Sequence, residues 1–356
     1  MRTVITATGS HIPERRVSNE AFLGAEFHAP DGRRIDKPNA DILRQFEAIT
    51  GIRERRYAAD HQVTTDLAAD AAQKALQSSS IAGETLDGLI VAHNFGDVRA
   101  GCGARPDQVP SLAARVKARL GIRNPACAAF DLVFGCPGWL QGVIVADSMI
   151  RAGDARRIMV IGAETLSRIS DPHDRDSLIY ADGAAAVVVE GRDTDARIGI
   201  LSRAVRTDAV DHASVLAMGT SYKAEAFLEA LFIKMEGRKV YKYALSTVAG
   251  AMLDALERAG ESPRDVRKIL IHQANGKMDE AILEAFYDLC GLEAPPDVMP
   301  MTISWLGNAS VATIPTLLDL ILSGQMDGHT INSGDLLLFA SVGAGMNINA
   351  VVYRVP

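Results

Sequence analysis

Cysteine is scarce in this 356-residue chain: Cys102, Cys127, Cys136 and Cys290 are the only four, and no two are spaced as CxxC. That pattern excludes a disulfide scaffold and the common zinc sites, and it fits a reducing compartment. No apolar run reaches the roughly 18 residues a membrane span needs, and the opening MRTVITATGSHIPERR is too short in its apolar stretch for a signal-peptide core. A soluble, cytoplasmic protein is expected. Positive charge is not in excess either, with a formal net charge of -7, which argues against a broad nucleic-acid surface and leaves room only for a local basic patch. What the chain has is aliphatic and small: 48% hydrophobic residues with only 5% aromatic and 30 glycines, a composition suited to tight helix-on-sheet packing.

The length predicts two domains or two similar halves, and the pattern favours the second. Strand-like 86–93, amphipathic helix 111–121, strand 128–134, a helix over 138–153 apolar almost all round, and strand 156–164 make up the first half. The second replays it: helix 244–260, strand 267–274, helices 278–291 and 309–324, strand 335–343. A helix that is apolar all round belongs between layers. VAHN at the end of one strand answers IHQAN at the end of another, the residue of an old duplication. The polar stretch 190–199 is the best boundary, giving halves 1–193 and 194–356. Residues 24–60 and 205–240 lack clear periodicity and are expected to be excursions or a cap.

FGCPGW (134–139) places Cys136 where a strand gives way to a helix, with Pro137 suited to a first helical position. A thiol there would face free N–H groups, a setting that lowers thiol pKa and stabilises an oxyanion, as an acyl-thioester catalyst requires. A buried structural cysteine is an equally good reading of those six residues alone. ILIHQANGK supplies His272 just past a strand, and WLGNAS supplies Asn308 at a helix start; singly, these read as a structural histidine and an N-cap. Together with Cys136, at matching ends of duplicated elements, they form a candidate set. The order Cys, His, Asn is also that of papain-like hydrolases, but the thiol's distance from the N-terminus, its CPGW neighbours and the strand-helix alternation speak against one. SDPHDRDS (170–177) matches no metal-loop spacing and reads as a polar turn, so no metal is expected. SVGAGMN (341–347) is a glycine turn between strands whose bare N–H groups could serve an oxyanion hole.

With these motifs assembled, the chain resembles the ketoacyl-ACP synthase III family over nearly its whole length: ATGSHIPE, TGIRERR, the run from AFDLVFGCPGW to AAAVVVE, MEGRKVYKYA, IHQAN, GNASVATIP and SVGAGMN. The resemblance implies a thiolase-like α/β fold, two duplicated βα halves in five αβαβα layers. It implies a 3-oxoacyl-ACP synthase of fatty acid or specialised acyl biosynthesis, an acyltransferase that condenses a Cys136-bound acyl group with malonyl-ACP, with His272 and Asn308 promoting decarboxylation. The oxyanion hole would be the N–H groups of Cys136 and Ala344. Asn275 and Arg175 would contact pantetheine or nucleotide, and Lys277 would dock the acyl carrier protein. No cofactor beyond the acyl thioesters and no nucleic-acid partner is implied, and a homodimer is.

Departures from the family pattern bear on substrate. Gln45 and Ile49 stand where acetyl-CoA-primed members carry a tryptophan and an arginine around the adenine, which favours an ACP-linked or unusual acyl donor over CoA. Val109 replaces a common aromatic at the acyl-pocket gate, within a long stretch 101–111, and predicts a medium or long acyl chain. Gly135 and Pro137 replace the usual alanines. Two other readings remain open: a head-to-head condensing enzyme or acyltransferase using the same acyl-Cys intermediate, and a non-catalytic partner subunit, though such partners usually lack the nucleophile.

Overall fold

In the computed structural model, which describes residues 1–223, 225–227 and 229–356, the apolar runs of the sequence become two sheets. The first holds β1 (Arg2–His11), β2 (Gly88–Ala92), β3 (Ala128–Leu132), β4 (Arg157–Thr165) and β5 (Asp182–Arg192), in the spatial order β1-β5-β4-β2-β3. β2, β3 and β4 run parallel, and β5 is antiparallel to both β4 and β1. The second holds β6 (Gly199–Thr207), β7 (Val266–Ile271), β8 (Leu336–Gly343) and β9 (Asn347–Arg354), ordered β6-β9-β8-β7, with β7 and β8 parallel. Their central strands are buried at nearly every position, as continuous Val, Ile, Leu and Ala runs require when both faces are covered.

The helices that pack on the two sheets are α1 (Thr64–Ser78), α2 (Leu112–Arg119), α3 (Gly138–Ala152), α4 (Gly237–Ala259), α5 (Gly276–Leu289) and α6 (Thr313–Leu322). One core joins Ile90, Val160 and Val187 of the first sheet to Leu337, Phe339 and Val351 of the second, with α3 and α6 between them. Both helices are buried around most of their circumference for that reason; Trp139 of α3 packs edge-to-face on Phe339 at 6.2 Å. Outside, α1 and α2 cover the first sheet through an alanine-rich face, and α4 and α5 cover the second. The result is five layers, helix-sheet-helix-sheet-helix. Each fully buried Leu or Ile in the middle layer contributes about 1.5–3 kcal/mol, so the central pair is what the rest of the molecule is built around.

Two stretches without periodicity do fold regularly. Within 24–60 lie a helix, Asn39–Thr50, closed by Gly51 at φ 73°, and a strand, Glu54–Tyr57. Only Ile42, Leu43 and Thr50 of that helix are buried, so a single narrow edge of it meets the core. Within 205–240, β6 runs on to Thr207 and Leu216–Gly219 pairs with Phe232–Met235 as a small antiparallel ribbon. α4 begins seven residues earlier than its apolar period indicates, because its first turns, Gly237 to Lys242, lie largely exposed over the site. Asp171, Asp174 and Lys234 lock the 170–177 turn to this ribbon: the Lys234 Nζ bonds Asp171 at 2.6 Å and Asp174 at 3.2 Å, a cation already between the two carboxylates.

Candidate active site

The carboxyl ends of the parallel strands converge, as they do at sites in open α/β sheets. β2 leads to Asn94, β3 to Cys136, β7 to His272 and β8 to Ala344, while Asn308 enters from the turn before α6. All five line one cavity of about 370 Å³, whose remaining wall is mainly apolar and includes Phe95, Leu166, Leu216, Met218 and Ile233. A second cavity, of about 460 Å³, lies beside it toward Gln45, Ile49 and Arg175; Ile179, Met235, Val240, Ala274 and Met278 line both, so the two adjoin.

Backbone geometry explains the glycine before the thiol. Gly135 has φ 67°, in the left-handed region, and a Cβ there would fall 2.8 Å from both the N and the O of Ala344. A Cβ on Gly343 would likewise fall 2.5 Å from the Cys136 nitrogen. The glycine turn after β8 therefore lies directly against the backbone that carries the thiol, with the Asn347 Nδ2 holding the Ala344 carbonyl at 2.7 Å. Pro137 occupies the N-cap position, one residue before the first helical residue, Gly138. A Gly135→Ala variant should be destabilised by about 1–2 kcal/mol or more, since an L-residue in the left-handed region carries that cost before any clash. Thermal unfolding measures it, alongside a loss of Cys136 reactivity.

Electrostatics at the thiol run opposite to the expectation from the helix start. Burial pushes the Cys136 thiol up to about 11; Ser310 opposes this and the nearby Glu164 adds to it. Facing an apolar cavity outweighs the helix terminus, because a desolvated thiolate has few partners. Burial also lowers His272 to about 4, with the Ser310 main chain opposing, so the imidazole is neutral at physiological pH. Its Nδ1 is buried and makes no hydrogen bond among the described residues; the main-chain N–H of His272 donates to the Ala340 carbonyl at 2.9 Å. Asn308 is 3% exposed and oriented: its Oδ1 accepts the Ser310 N–H at 2.8 Å, which leaves Nδ2 as the free group. Its role is thus a local turn ahead of a 3-10 segment, not the N-cap of α6.

Asn275 caps α5, its side chain accepting the Met278 N–H at 3.2 Å, and it lines the second cavity together with the exposed Arg175. Lys277 is exposed and lines neither cavity; Arg238 and Lys242 of α4 stand at the second cavity instead, cations that helix-pattern reading passed over. Val109 is 87% exposed and lines neither cavity. Leu216, Ala217 and Met218 with Ile233 and Met235 of the ribbon, and Leu166, form much of the apolar wall of the first cavity. Among the other cysteines, Cys102 is exposed, Cys127 buried and Cys290 half-buried, and none lines the cavity.

Comparison with known proteins accords with this geometry. The family model described as 3-oxoacyl-(acyl-carrier-protein) synthase III matches residues 130–209, and the model of its C-terminal part matches 256–355. A curated β-ketoacyl-(acyl-carrier-protein) synthase III of Neisseria meningitidis is 34% identical over 353 residues, 98% of either chain. The chain belongs to the 3-oxoacyl-(acyl-carrier-protein) synthase III family. It is accordingly an acyltransferase-type condensing enzyme with the thiolase fold. The synthase III of Erythrobacter litoralis is 32% identical, covering 99% of both chains. Among solved structures, the synthase III of Thermus thermophilus superposes with a TM-score of 0.80 at 32% identity over 99% of both chains. That of Pseudomonas aeruginosa has a TM-score of 0.80 at 27% identity, covering 100% of this chain and 99% of its own. Within the synthase III frame, Asn94, Glu164 and Ser310 are the polar residues near the thiol that the sequence reading did not single out, although VAHN and GNAS contain two of them.

Proposed function

We propose that the enzyme carries an acyl group on Cys136 and condenses it with malonyl-ACP by a decarboxylating Claisen reaction. The observation that carries this reading is the convergence of a thiol, a neutral imidazole and a locked amide on one apolar cavity. In the first half-reaction the Cys136 sulfur attacks the acyl thioester, and N–H groups of Cys136 and Ala344 receive the oxyanion. In the second, malonyl thioester loses CO₂ and its thioester oxygen becomes an enolate oxygen. That oxygen needs donors, and His272, with its hydrogen on Nε2, and Asn308 Nδ2 supply two. Charge builds on the oxygen only as CO₂ leaves, so preorganised donors in a dry cavity favour the transition state over the substrate. The carbanion then attacks the acyl carbon on Cys136, and the 3-oxoacyl product leaves on the carrier.

The adjoining second cavity has the place of an entry for a phosphopantetheine arm. Arg175, Arg238 and Lys242 at its mouth suit phosphate and an acidic carrier protein, with Asn275 inside and Lys277 on the adjoining surface. Gln45 and Ile49 line this mouth and offer an adenine no ring of their own, which favours an ACP-bound donor over a CoA-bound one, although the rings of Phe46 and Tyr241 line the same cavity. Val109 can act as an acyl-pocket gate only from a second copy of the chain, in keeping with a cytoplasmic homodimer. The chemistry needs no cofactor beyond the thioesters.

The test offers acyl-ACP and acyl-CoA donors of graded chain length with malonyl-ACP, and follows Cys136 adducts and 3-oxoacyl product by mass spectrometry. ACP donors of medium or long chain should give both. Turnover of the adduct with no CO₂ released from malonyl-ACP would instead indicate acyl transfer to another nucleophile.

A further inference from the structure

The ribbon that walls the first cavity carries different chemistry on its two faces. Leu216 and Met218 of its first strand pair with Met235 and Ile233 of its second, and all four line the cavity. Alternation puts Lys234 on the reverse face, the face of Gly219. A Cβ on Gly219 would fall 3.0 Å from Lys234 Cγ, so the lysine stem lies across the first strand as well as its own. Its Nζ bonds Asp171 at 2.6 Å and Asp174 at 3.2 Å, and stands 3.4 Å from the centre of the Tyr222 ring. Asp171 is fully buried with both oxygens engaged: Lys234 and the Tyr222 N–H (2.8 Å) bond Oδ2, while the Ser221 hydroxyl (2.9 Å) and the His173 N–H (3.0 Å) bond Oδ1. Burial pushes its carboxyl up, but Lys234 and the other donors outweigh burial and hold it below the usual carboxylate range. The main chain adds a bond at the same place, from the Ile233 N–H to the Ile169 carbonyl at 3.0 Å.

We propose that Lys234 and Asp171 are positioning residues for donor selection: by pinning the ribbon from behind, they set how long an acyl chain the apolar wall admits beside Cys136. This rests on Cys136 carrying the acyl group. A two-stranded ribbon is marginal by itself and takes its position from what holds it. Its cavity face must stay apolar to receive an alkyl chain, so the anchoring falls to the reverse face. There an ion pair with every carboxylate lone pair directed fixes one position, where apolar contact alone would let the ribbon slide. Lys234, Asp171 and Asp174 line neither cavity, so they act on a bound chain only through their neighbours Ile233 and Met235. Without the pin the wall yields, and chains too long for the wild type gain while short ones lose contact.

The test alkylates Cys136 in the whole chain with N-alkyl iodoacetamides bearing ethyl, octyl or dodecyl groups, and reads the Cys136 peptide by mass spectrometry. The ratio of dodecyl to ethyl rates cancels the ionisation of the thiol itself. Lys234→Met should raise that ratio about tenfold, the scale on which apolar pockets discriminate by a methylene or two, and Asp171→Asn should raise it in the same direction. Lys234→Arg keeps donors for both carboxylates and should restore most of the wild-type ratio. Because Lys234→Met leaves a buried carboxylate without its cation, the double variant Lys234→Met, Asp171→Asn removes both charges and keeps the test independent of that cost. General loosening would lower the melting temperature and change all three rates alike, whereas loss of the pin moves the ratio. Medium- and long-chain acyl-ACP donors should show the same shift in Cys136 adducts. An unchanged or lowered ratio in both Lys234→Met and the double variant overturns the proposal, and if Cys136 still takes acyl groups the condensation stands without it. Alkylation needs no acyl transfer: a raised ratio in an enzyme that accepts no acyl group would support the pinned wall and count only against the condensation.

Discussion

Cys136→Ala is expected to take up no acyl group from any thioester and to lose condensation by about a thousandfold or more, while decarboxylation of malonyl-ACP persists. The division follows from where the groups come from. The sulfur is placed by the turn between β3 and α3, whereas His272 follows β7 and Asn308 follows the short helix Ile303–Leu306. The Asn308 Oδ1 is held by Ser310 and not by the cysteine, so the donor pair keeps its geometry when the sulfur is removed. Intact-mass analysis after exposure to acyl-ACP reads the first half, and CO₂ release from malonyl-ACP reads the second. An adduct that survives in the variant would move the nucleophile elsewhere, and no other cysteine borders the cavity. In the wild type, acyl uptake should rise with pH across the neutral and alkaline range, because a thiol pushed up to about 11 holds only a small anionic fraction at pH 7. A plateau below pH 8 would mean that bound substrate ionises the thiol, which measurement with and without an acyl analogue would distinguish.

The strand-helix alternation and the two all-apolar helices were legible because burial on both faces leaves an unbroken aliphatic signature. The helix Asn39–Thr50 was not singled out, although Ile42, Leu43 and Phe46 stand at helical spacing, because only one edge of it is covered and it lies in a charged stretch. The start of α4 was missed for a related reason: Gly237 to Lys242 are exposed, and residues that meet solvent and a substrate mouth carry no apolar period. At the site, Cys136, His272 and Asn308 stood out because each follows a strand or short turn with distinctive neighbours. Asn94 and Ser310 lay inside the same short motifs, yet their meaning depends on a contact across 216 positions of sequence, and no local pattern encodes that. The sign of the thiol's perturbation was misjudged for a physical reason as well. A helix start is visible in sequence, but the desolvation that overrides it belongs to the assembled cavity. Gly135, opaque in sequence, is explained by its positive φ and by the backbone of Ala344.

His272→Ala and Asn308→Asp should each lower malonyl-ACP decarboxylation by roughly 10²–10³-fold, the usual cost of deleting one preorganised donor to a developing oxyanion. Both should still accept an acyl group on Cys136. Aspartate at 308 retains an oxygen for the Ser310 N–H and puts an acceptor oxygen in place of the Nδ2 donor, so its loss reports the missing donor together with the added negative charge, and not the fold of the turn. The wild-type pH profile supplies the second half of the argument. A solvent-exposed histidine changes charge near 6.5, whereas burial lowers His272 to about 4, so the ring stays neutral down to mildly acidic pH. Decarboxylation by wild type should therefore show no His272 inflection between pH 5.5 and 7.5, and titration of the ring by NMR should find its midpoint well below 6.5. A midpoint at or above 6.5 would make the ring an imidazolium in much of that range, and the neutral-donor account of decarboxylation would fail with it. The same measurement locates the ring hydrogen: a hydrogen on Nδ1 would leave Nε2 with a lone pair and no means of stabilising an enolate oxygen. With the hydrogen on Nε2, the unpaired Nδ1 seen in the structure is the lone-pair side of the ring, and burial keeps it from taking up a proton until the pH falls to about 4.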